Sequence, residues 1–460
     1  MPKNLFVGTG VSKADDSFTA GKEAVEMAIG EMKKKGGKEP TFGLVFCSGK
    51  KYSKTEKDIQ KLVDGAHSVF GDTPWVGCTT CGEIYTKDLE RYSCVAMALS
   101  TEYLNLSIGI GNDVHKDAKK AGELATKEAV SNLQTEKFLN PYLRYLAAKK
   151  KTSRELMRMY SYFILLISPG HTMDRIGKEE YVLDGVFDVI GKQTPVIGGT
   201  AGDDGRLVQN YQFANGKIYK DAAIATAISC GLKVGFGFDH GYKKTGDSCI
   251  VTDAEDTTVK EINGKPASSE YARMLGMKLE ELWPTKMEMM TRLTPIAKIG
   301  VKYLEWEFEP KKMPFLSIGI NNPMSLIDIH DNVAVRVPRL IKGDSIEFFE
   351  KIPKGIELHR LKVEPSSILK AEINAIDWAT EDAGGEPELI LMFDCAFRRM
   401  FLISDELAKE FIKTVIKKHP KAEVIGFNSM GEFTYNRTMT PSANGATVSV
   451  GVITDKLLVE

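Results

Sequence analysis

The chain has 460 residues, too many for one compact core, and its 43% hydrophobic and 27% charged residues are those of an ordinary globular protein. Lys and Arg (61) nearly balance Asp and Glu (62), so no basic excess points to nucleic acid as a partner. No stretch approaches the roughly 18 uninterrupted apolar residues of a membrane span, and Met1-Pro2-Lys3-Asn4 does not open a signal peptide. Seven scattered cysteines are an odd number without a framework of spacings, so the expected setting is a reducing cytoplasm.

In chain order, Asn4 to Gly10 reads as a strand before a helix that carries Val25, Ala28, Ile29 and Met32 on one face. Phe42 to Gly49 (FGLVFCSG) is continuously apolar, as a strand covered on both faces should be. A helix follows with Ile59, Leu62, Val63, Ala66, Val69 and Phe70 on one side, and Thr55 with Asp58 is spaced for a capping box. A short strand then runs into a glycine loop, TPWVGCTTCGEI (Thr73 to Ile84), before the strand Tyr92 to Leu99.

This order returns. Asn105 to Gly111 precedes a helix with Leu124, Ala125 and Val130, and Tyr162 to Gly170 (YFILLISPG) is a second buried strand. Its helix shows Val182, Leu183, Val186, Phe187 and Ile190, its loop is TPVIGGTAGDDG (Thr194 to Gly205), and Asp221 to Ile228 closes the unit. A third set comprises Glu388 to Arg398, a helix with Leu407, Phe411, Val415 and Ile416 capped by Ser404, the loop AEVIGFNSMGEF (Ala422 to Phe433), and Ala446 to Ile453. Gly355 to Val363 is the candidate for its upstream strand.

The fold class expected is therefore α/β, with mixed sheets flanked by helices and built from repeated β-α-β-α-β-loop-β units. Residues 235 to 365 break the pattern. A basic helical stretch near 136–160 looks like an insertion, either a solvated excursion or a contact for an acidic partner or a second copy.

The loops carry the candidate chemistry. Glycine allows close backbone approach and positive φ, leaving amides to face an anion. Thr79, Thr80, Thr200 and Ser429 add hydroxyls, while Glu83, Asp203 and Glu432 place a carboxylate after the second glycine. Such donors with a carboxylate suit a zwitterion such as an amino acid; alternatively the carboxylates cap the loops' own amides. Gly199 would let a ligand approach, and Arg398 at a strand end could hold a carboxylate or a structural ion pair. Cys78-x-x-Cys81 has metal or redox spacing but no second pair, and Cys47 and Cys395 sit at apparently corresponding strand ends. His171 and His240 stand beside glycines as candidate metal or haem ligands, against a plain structural role. No phosphate-binding Gly-Lys-Ser/Thr follows any loop, and no catalytic triad can be assembled from spacing.

Val76-Gly77-Cys78-Thr79-Thr80-Cys81-Gly82-Glu83, Gly198-Gly199-Thr200-Ala201-Gly202-Asp203, His240-Gly241-Tyr242 and Asn263-Gly264-Lys265-Pro266 resemble motifs of the FIST N domain. Phe393-Asp394-Cys395-Ala396-Phe397-Arg398, Gly426 to Glu432 and Asn444-Gly445-Ala446-Thr447 are similar to the companion FIST C domain. The resemblance implies an N-like domain over 1–310 and a C-like domain over 311–460. It further implies an intracellular sensor that binds a small ligand, such as an amino acid, and acts on a separate signalling protein. Haem binding, in which some bacterial relatives are implicated, is the alternative, and a thiol-dependent enzyme or a homo-oligomeric assembly component stands behind it. Cys81 departs from the pattern, since a small residue is usual there.

Overall fold

The structure is a computed structural model that describes residues 3–86, 88–134, 161–172, 175–282, 314–329, 331–402, 405–435 and 441–458. The basic stretch at 136–160 and the Ser404 cap lie outside the described residues. The first strands are β1 (Phe6–Ser12), β2 (Phe42–Ser48), β3 (Trp75–Thr80), β4 (Glu83–Tyr85), β5 (Asp88–Glu90) and β6 (Cys94–Ser100). The second set is β7 (Leu104–Asn112), β8 (Phe163–Ser168), β9 (Val196–Thr200), β10 (Gln212–Ala214), β11 (Lys217–Tyr219) and β12 (Ala222–Cys230). After β13 (Leu232–Asp239) the strands from β14 (Lys243–Glu255) to β21 (Glu357–Lys362) build a separate eight-stranded sheet. The chain ends in β22 (Pro387–Cys395), β23 (Glu423–Ser429), β24 (Glu432–Tyr435), β25 (Pro441–Asn444) and β26 (Val448–Leu457).

The remaining strands form three six-stranded mixed sheets, ordered β1-β6-β2-β3-β10-β11, β7-β12-β8-β9-β24-β25 and β13-β26-β22-β23-β4-β5. In each, a parallel central pair (β2/β3, β8/β9, β22/β23) is flanked by antiparallel neighbours. The hairpin after each glycine loop leaves its own sheet. β4–β5 pairs with β23, β10–β11 with β3, and β24–β25 with β9, so each sheet ends on strands supplied by another.

Helices cover the outer faces. Thr55 and Asp58 form the expected capping box, and Asp16 and Asp117 cap the helices Ser17–Lys34 and Ala118–Ser131. One packing device appears three times. A Cβ on Gly8 or Gly10 of β1 would lie 2.2 Å from the carbonyl oxygens of Ala28 and Ala24. Gly109 and Gly111 meet Ala125 and Ala121 at 2.0 and 1.8 Å, and Gly235 and Gly237 meet Ala379 and Ala375 at 2.0 Å each. A Gly-x-Gly strand thus nests directly on an Ala-x-x-x-Ala helix, with no room for a side chain between them.

β13 therefore occupies the place proposed for Gly355 to Val363, and that assignment is corrected. Residues Glu357–Lys362 belong to the eight-stranded sheet, where they pair with β14 and with the strand Met324–Ile327. In β21 (ELHRLK) the buried Leu358 and Leu361 lie on opposite faces of the strand, in different clusters of the core, whereas Gly235 and Gly237 carry the close approach to the helix.

The inner faces of the three sheets meet in one apolar core containing Phe46, Leu165, Ile167, Leu391, Phe393 and Phe427. Phe427 packs on Phe46 at 4.7 Å and on Phe393 at 5.3 Å between ring centroids. Each such fully buried side chain contributes about 1.5–3 kcal/mol, and here it does so only when the sheets are assembled together. Among the described residues, no helix is long and apolar enough to cross a membrane.

Residues 1–310 expressed alone lack β22 to β26 and so lose the partners of β4, β9 and β13. We expect that fragment to lack a cooperative thermal transition by circular dichroism, and co-expression with residues 311–460 to restore it. A sharply melting, monomeric 1–310 fragment would contradict the exchanged-hairpin topology.

Candidate functional site

The three glycine loops converge and bond to one another in a ring. Cys81 N donates to Asn428 O (3.0 Å) and Asn428 N to Gly82 O (2.8 Å), joining the first loop to the third. Gly202 N donates to Thr79 O (2.8 Å) and Asp204 N to Thr80 O (2.9 Å), joining the second to the first. Thr200 N donates to Gly431 O (2.9 Å) and Met430 N to Thr200 O (3.3 Å), which closes the circle. Each loop has the form Thr/Ser-x-Gly-acid: Thr80 to Glu83, Thr200 to Asp203, Ser429 to Glu432.

The carboxylates of this motif turn inward to their own chain. Thr80 Oγ1 donates to Glu83 Oε1 (2.5 Å), and Glu83 Oε2 accepts from Ser93 N and Oγ (3.1 and 2.7 Å). Glu432 repeats the arrangement with Ser429 Oγ (2.6 Å) and with Thr447 N and Oγ1 (3.1 and 2.8 Å). Asp203 instead accepts three amides, from Leu207, Val208 and Gln209, while Asp204 takes Ser48 Oγ and Lys50 N. Thr79 Oγ1 accepts Tyr211 N (2.9 Å), and a Cβ on Gly199 would lie 2.9 Å from that of Ser429. Most of the sequence-selected loop residues are thus brought together as braces of the ring.

Burial pushes these carboxyls up. Glu83 is raised by desolvation and by the nearby Asp204 carboxylate, and Glu432 is pushed up to about 8, chiefly by desolvation. Arg398, fully buried, lies 2.6 Å from Asp394 and 3.6 Å from Glu372, and it donates to His240 O (2.9 Å). It ties the end of β22 to the His240 turn and stands apart from the ring.

Thr80, Thr200 and Ser429 pair across the parallel ladders with Ser48, Ser168 and Cys395. Ser48, not Cys47, is therefore the counterpart of Cys395, and the correspondence of the two cysteines is corrected. One residue along a strand reverses the face, so Cys47 joins the helix-side core. Cys78 faces the shared core, and burial raises the Cys78 and Cys395 thiols well above their ordinary range. A high thiol pKa leaves little thiolate for nucleophilic work.

Neither candidate histidine offers an open lone pair. His171 Nδ1 accepts Gly177 N (2.8 Å), the ring also bonds to the Met430 backbone, and Phe349 packs 4.8 Å away. His240 Nδ1 accepts Tyr242 N (2.9 Å). Burial lowers both, His171 to about 3, which fits neutral structural imidazoles. These surroundings do not fit a haem, and among the described residues no group of three His, Cys, Asp or Glu side chains is placed to hold a metal.

One open space lies at the C-terminal end of β8, where open α/β sheets place ligands. A cavity of about 200 Å³ is walled on one side by Pro169, Gly170, Thr172 and Arg175. His115, Val208, Gln209, Asn210 and Lys220 close it from other loops. Asn210 clamps Gly170, donating to its carbonyl (3.2 Å) and accepting its amide (3.3 Å). His115 Nδ1 lies 2.5 Å from Asp221 Oδ1, while His115 Nε2 is buried without a hydrogen-bond partner among the described residues. Ser168 Oγ, Thr200 Oγ1 and Glu179 Oε2 are likewise buried and unpartnered. Thr200 lies close behind Gly170, since a Cβ there would stand 3.2 Å from its hydroxyl.

The cavity wall leads directly into the helix Glu179–Ile190, which is fastened to the eight-stranded sheet. Glu180 accepts from Arg336 Nη2 and Lys351 N, each at 2.8 Å, and Tyr181 donates to Asp256. Of these residues the sequence had marked the strand end at Gly170 and the hydroxyl of Thr200, and Asp221 only as the start of a strand. His115, Arg175, Asn210 and the adjacent Lys220 and Asp221 come from four loops and share no periodicity.

Residues 41–265 match the FIST N domain and residues 301–434 match the FIST C domain, in that order. The chain belongs to the FIST family. FIST domains are associated with sensory signal transduction. This FIST protein is 26% identical over 265 residues to an uncharacterised protein of Methanocaldococcus jannaschii, a match covering 55% of the chain and 47% of the relative. The chain thus spans about half the length of the curated relative it matches. A crystal structure of cyanuric acid hydrolase from A. caulinodans overlaps 49% of this chain and 71% of its own, at 11% identity and a TM-score of 0.25. That overlap is too slight to bear on function.

Glu432 provides a pH test of the ring. Its folded pKa lies above the unfolded value, so its contribution is fully present below about 4.5 and is lost as pH rises toward about 8. Glu432→Gln should therefore reduce the loss of stability measured by urea unfolding between pH 5 and pH 8, with unchanged m. An unchanged or steeper loss would show that Glu432 is ionised in the folded ring.

Proposed function

We propose that this FIST protein is a cytoplasmic sensor that binds a small ligand, of amino-acid size, in the cavity at the end of β8. The observation that carries the reading is the cavity itself: polar, about 200 Å³, and walled by Gly170, which lies against the second loop, and by Thr172 and Arg175, ahead of the helix fastened to the eight-stranded sheet. Pocket position in the sheet and the Gly170–Asn210 clamp both favour occupancy over plain packing. The site residues first chosen in the loops then serve to hold the wall, with Thr200 as the loop member nearest to it.

Ligand entry would press on the wall at Pro169, Gly170, Thr172 and Arg175 and bias the helix Glu179–Ile190, whose Glu180 and Tyr181 grip the eight-stranded sheet. That sheet is the natural surface for a separate signalling protein or a second copy of the chain. An amino acid suits the basic lining through its carboxylate. The raised thiols of Cys78 and Cys395 weigh against a thiol enzyme.

The test is a thermal-shift screen of the twenty amino acids and a set of small organic acids, followed by calorimetry on any hit. A ligand present at 100 times its Kd should stabilise the fold by about 2.7 kcal/mol. Asn210→Leu, which replaces the clamp on Gly170 with an apolar side chain, should abolish the shift while leaving a folded protein. Retention of full affinity in that variant would place the ligand elsewhere.

A further inference from the structure

We infer that Cys47 and Cys94 are a redox pair, which an oxidant of the small-disulfide class joins in a cross-strand bond that tightens the loop ring. The pair lies in the first sheet, and the inference is independent of the reading of the cavity.

The two thiols belong to neighbouring strands. In the antiparallel ladder of β2 with β6, Cys47 stands directly opposite Cys94. Opposite residues in such a ladder alternate between hydrogen-bonded and non-hydrogen-bonded pairs. Ser48 N donates to Ser93 O (2.9 Å), so the adjoining pair is hydrogen-bonded and Cys47 with Cys94 is not. The other side of β2 agrees. Gly43 N donates to Pro74 O (3.0 Å) and Thr80 Oγ1 to Cys47 O (3.3 Å), so these residues turn their backbone groups toward β3, away from β6. A non-hydrogen-bonded pair brings its Cα atoms to about 4.5 Å, within the roughly 4.4–6.8 Å that a disulfide spans. Both side chains lie on the helix side of the sheet, in one cluster with Val45 and Ala96, and both are free thiols. The CxxC thiols are less well placed: Cys78 belongs to the shared core and Cys81 to a different cluster, with Leu316 and Val335.

Position gives the bond a consequence. One residue nearer the ring, Ser48 Oγ donates to Asp204 (2.6 Å) and Ser93 Oγ to Glu83 (2.7 Å). A bond between Cys47 and Cys94 fixes the spacing of these two braces, one to the second loop and one to the first. It also closes the chain between β2 and β6 into a loop, which restricts the unfolded state.

Access limits the rate. Both thiols are fully buried, and burial pushes both up, so neither is a standing nucleophile. Cys94 follows closely on the exposed Arg91 and on Tyr92, which holds a left-handed φ of 60°. Local opening of this turn presents Cys94. Its thiol loses a proton and attacks one sulfur of the small disulfide, releasing a small thiolate. The Cys47 thiol then gives up its proton as its sulfur attacks Cys94 Sγ, and the second small thiolate leaves. The protein loses two electrons and two protons, and the small disulfide takes them up as two thiols. In a reducing compartment such a bond is transient, as redox-sensing disulfides are.

The test holds the full, pre-reduced chain with oxidised glutathione far below its melting midpoint, then traps remaining thiols with N-ethylmaleimide in denaturant. Peptide mass spectrometry should show Cys47 linked to Cys94 as the main disulfide. Melts should place the oxidised protein about 3 °C or more above the reduced one, and dithiothreitol should reverse the shift. Cys94→Ala should show no such shift; if that variant does not fold, the linkage and the shift in the natural chain still decide. Thiols that stay unlinked until the melting range, or a main bond between other cysteines, overturn the inference. So does a midpoint that does not rise on linkage, or a rise that survives in Cys94→Ala.

Discussion

Two backbone hydrogen bonds at each of three junctions, drawn from loops centred near residues 81, 201 and 430, hold this molecule together. Each bond is worth only about 1 kcal/mol net, but they close a circle, and no loop can leave without breaking both junctions it shares. The exchanged hairpins follow from this geometry. A strand that leaves a loop after crossing the ring emerges beside the next sheet, so β4, β10 and β24 pair with β23, β3 and β9. The sheets then face one core whose aromatic contacts, such as Phe46 on Phe427, join segments remote in sequence. We propose that the three β-α-β-α-β-loop-β segments are copies of one ancestral unit, with the eight-stranded sheet accommodated after β13 in the third.

Much of this order could be seen in the residues. Continuous apolar runs such as FILLIS marked the covered central strands, and Thr55 with Asp58 marked a helix start. The Thr/Ser-x-Gly-acid loops stood out by composition. What composition could not tell was which way the acids faced. Glu83 and Glu432 are buried against Ser93 and Thr447, residues that become neighbours only when the chain returns after its excursion into another sheet.

The errors have equally local causes. Gly355 to Val363 stood as the candidate upstream strand, yet the true sign of that strand is Gly-x-Gly opposite Ala-x-x-x-Ala, shown by Gly235 and Gly237 against Ala379 and Ala375. The one-residue offset at Cys47 arose because the segment between strand end and loop differs in length: Thr80 follows its ladder partner Ser48 by 32 positions, whereas Ser429 follows Cys395 by 34. The cavity was invisible because His115, Arg175, Asn210 and Lys220 are gathered by loop geometry alone. Asp221 was visible only as the start of an apolar strand, not as the partner of a histidine.

The second loop thus has a double part, bracing the ring through its backbone and standing behind the cavity wall through Thr200. Its neighbour, the helix Glu179–Ile190, carries any change there outward to the eight-stranded sheet. All of this requires the ring to behave as one cooperative body. Hydrogen exchange of the amides of Cys81, Thr200, Gly202 and Asn428 tests that most directly. The account predicts that the four share one opening free energy, within about 1 kcal/mol of global unfolding. If the amides of any one loop exchange through a local opening several kcal/mol lower, while the other two remain protected, the ring is not the constraint on which the fold depends.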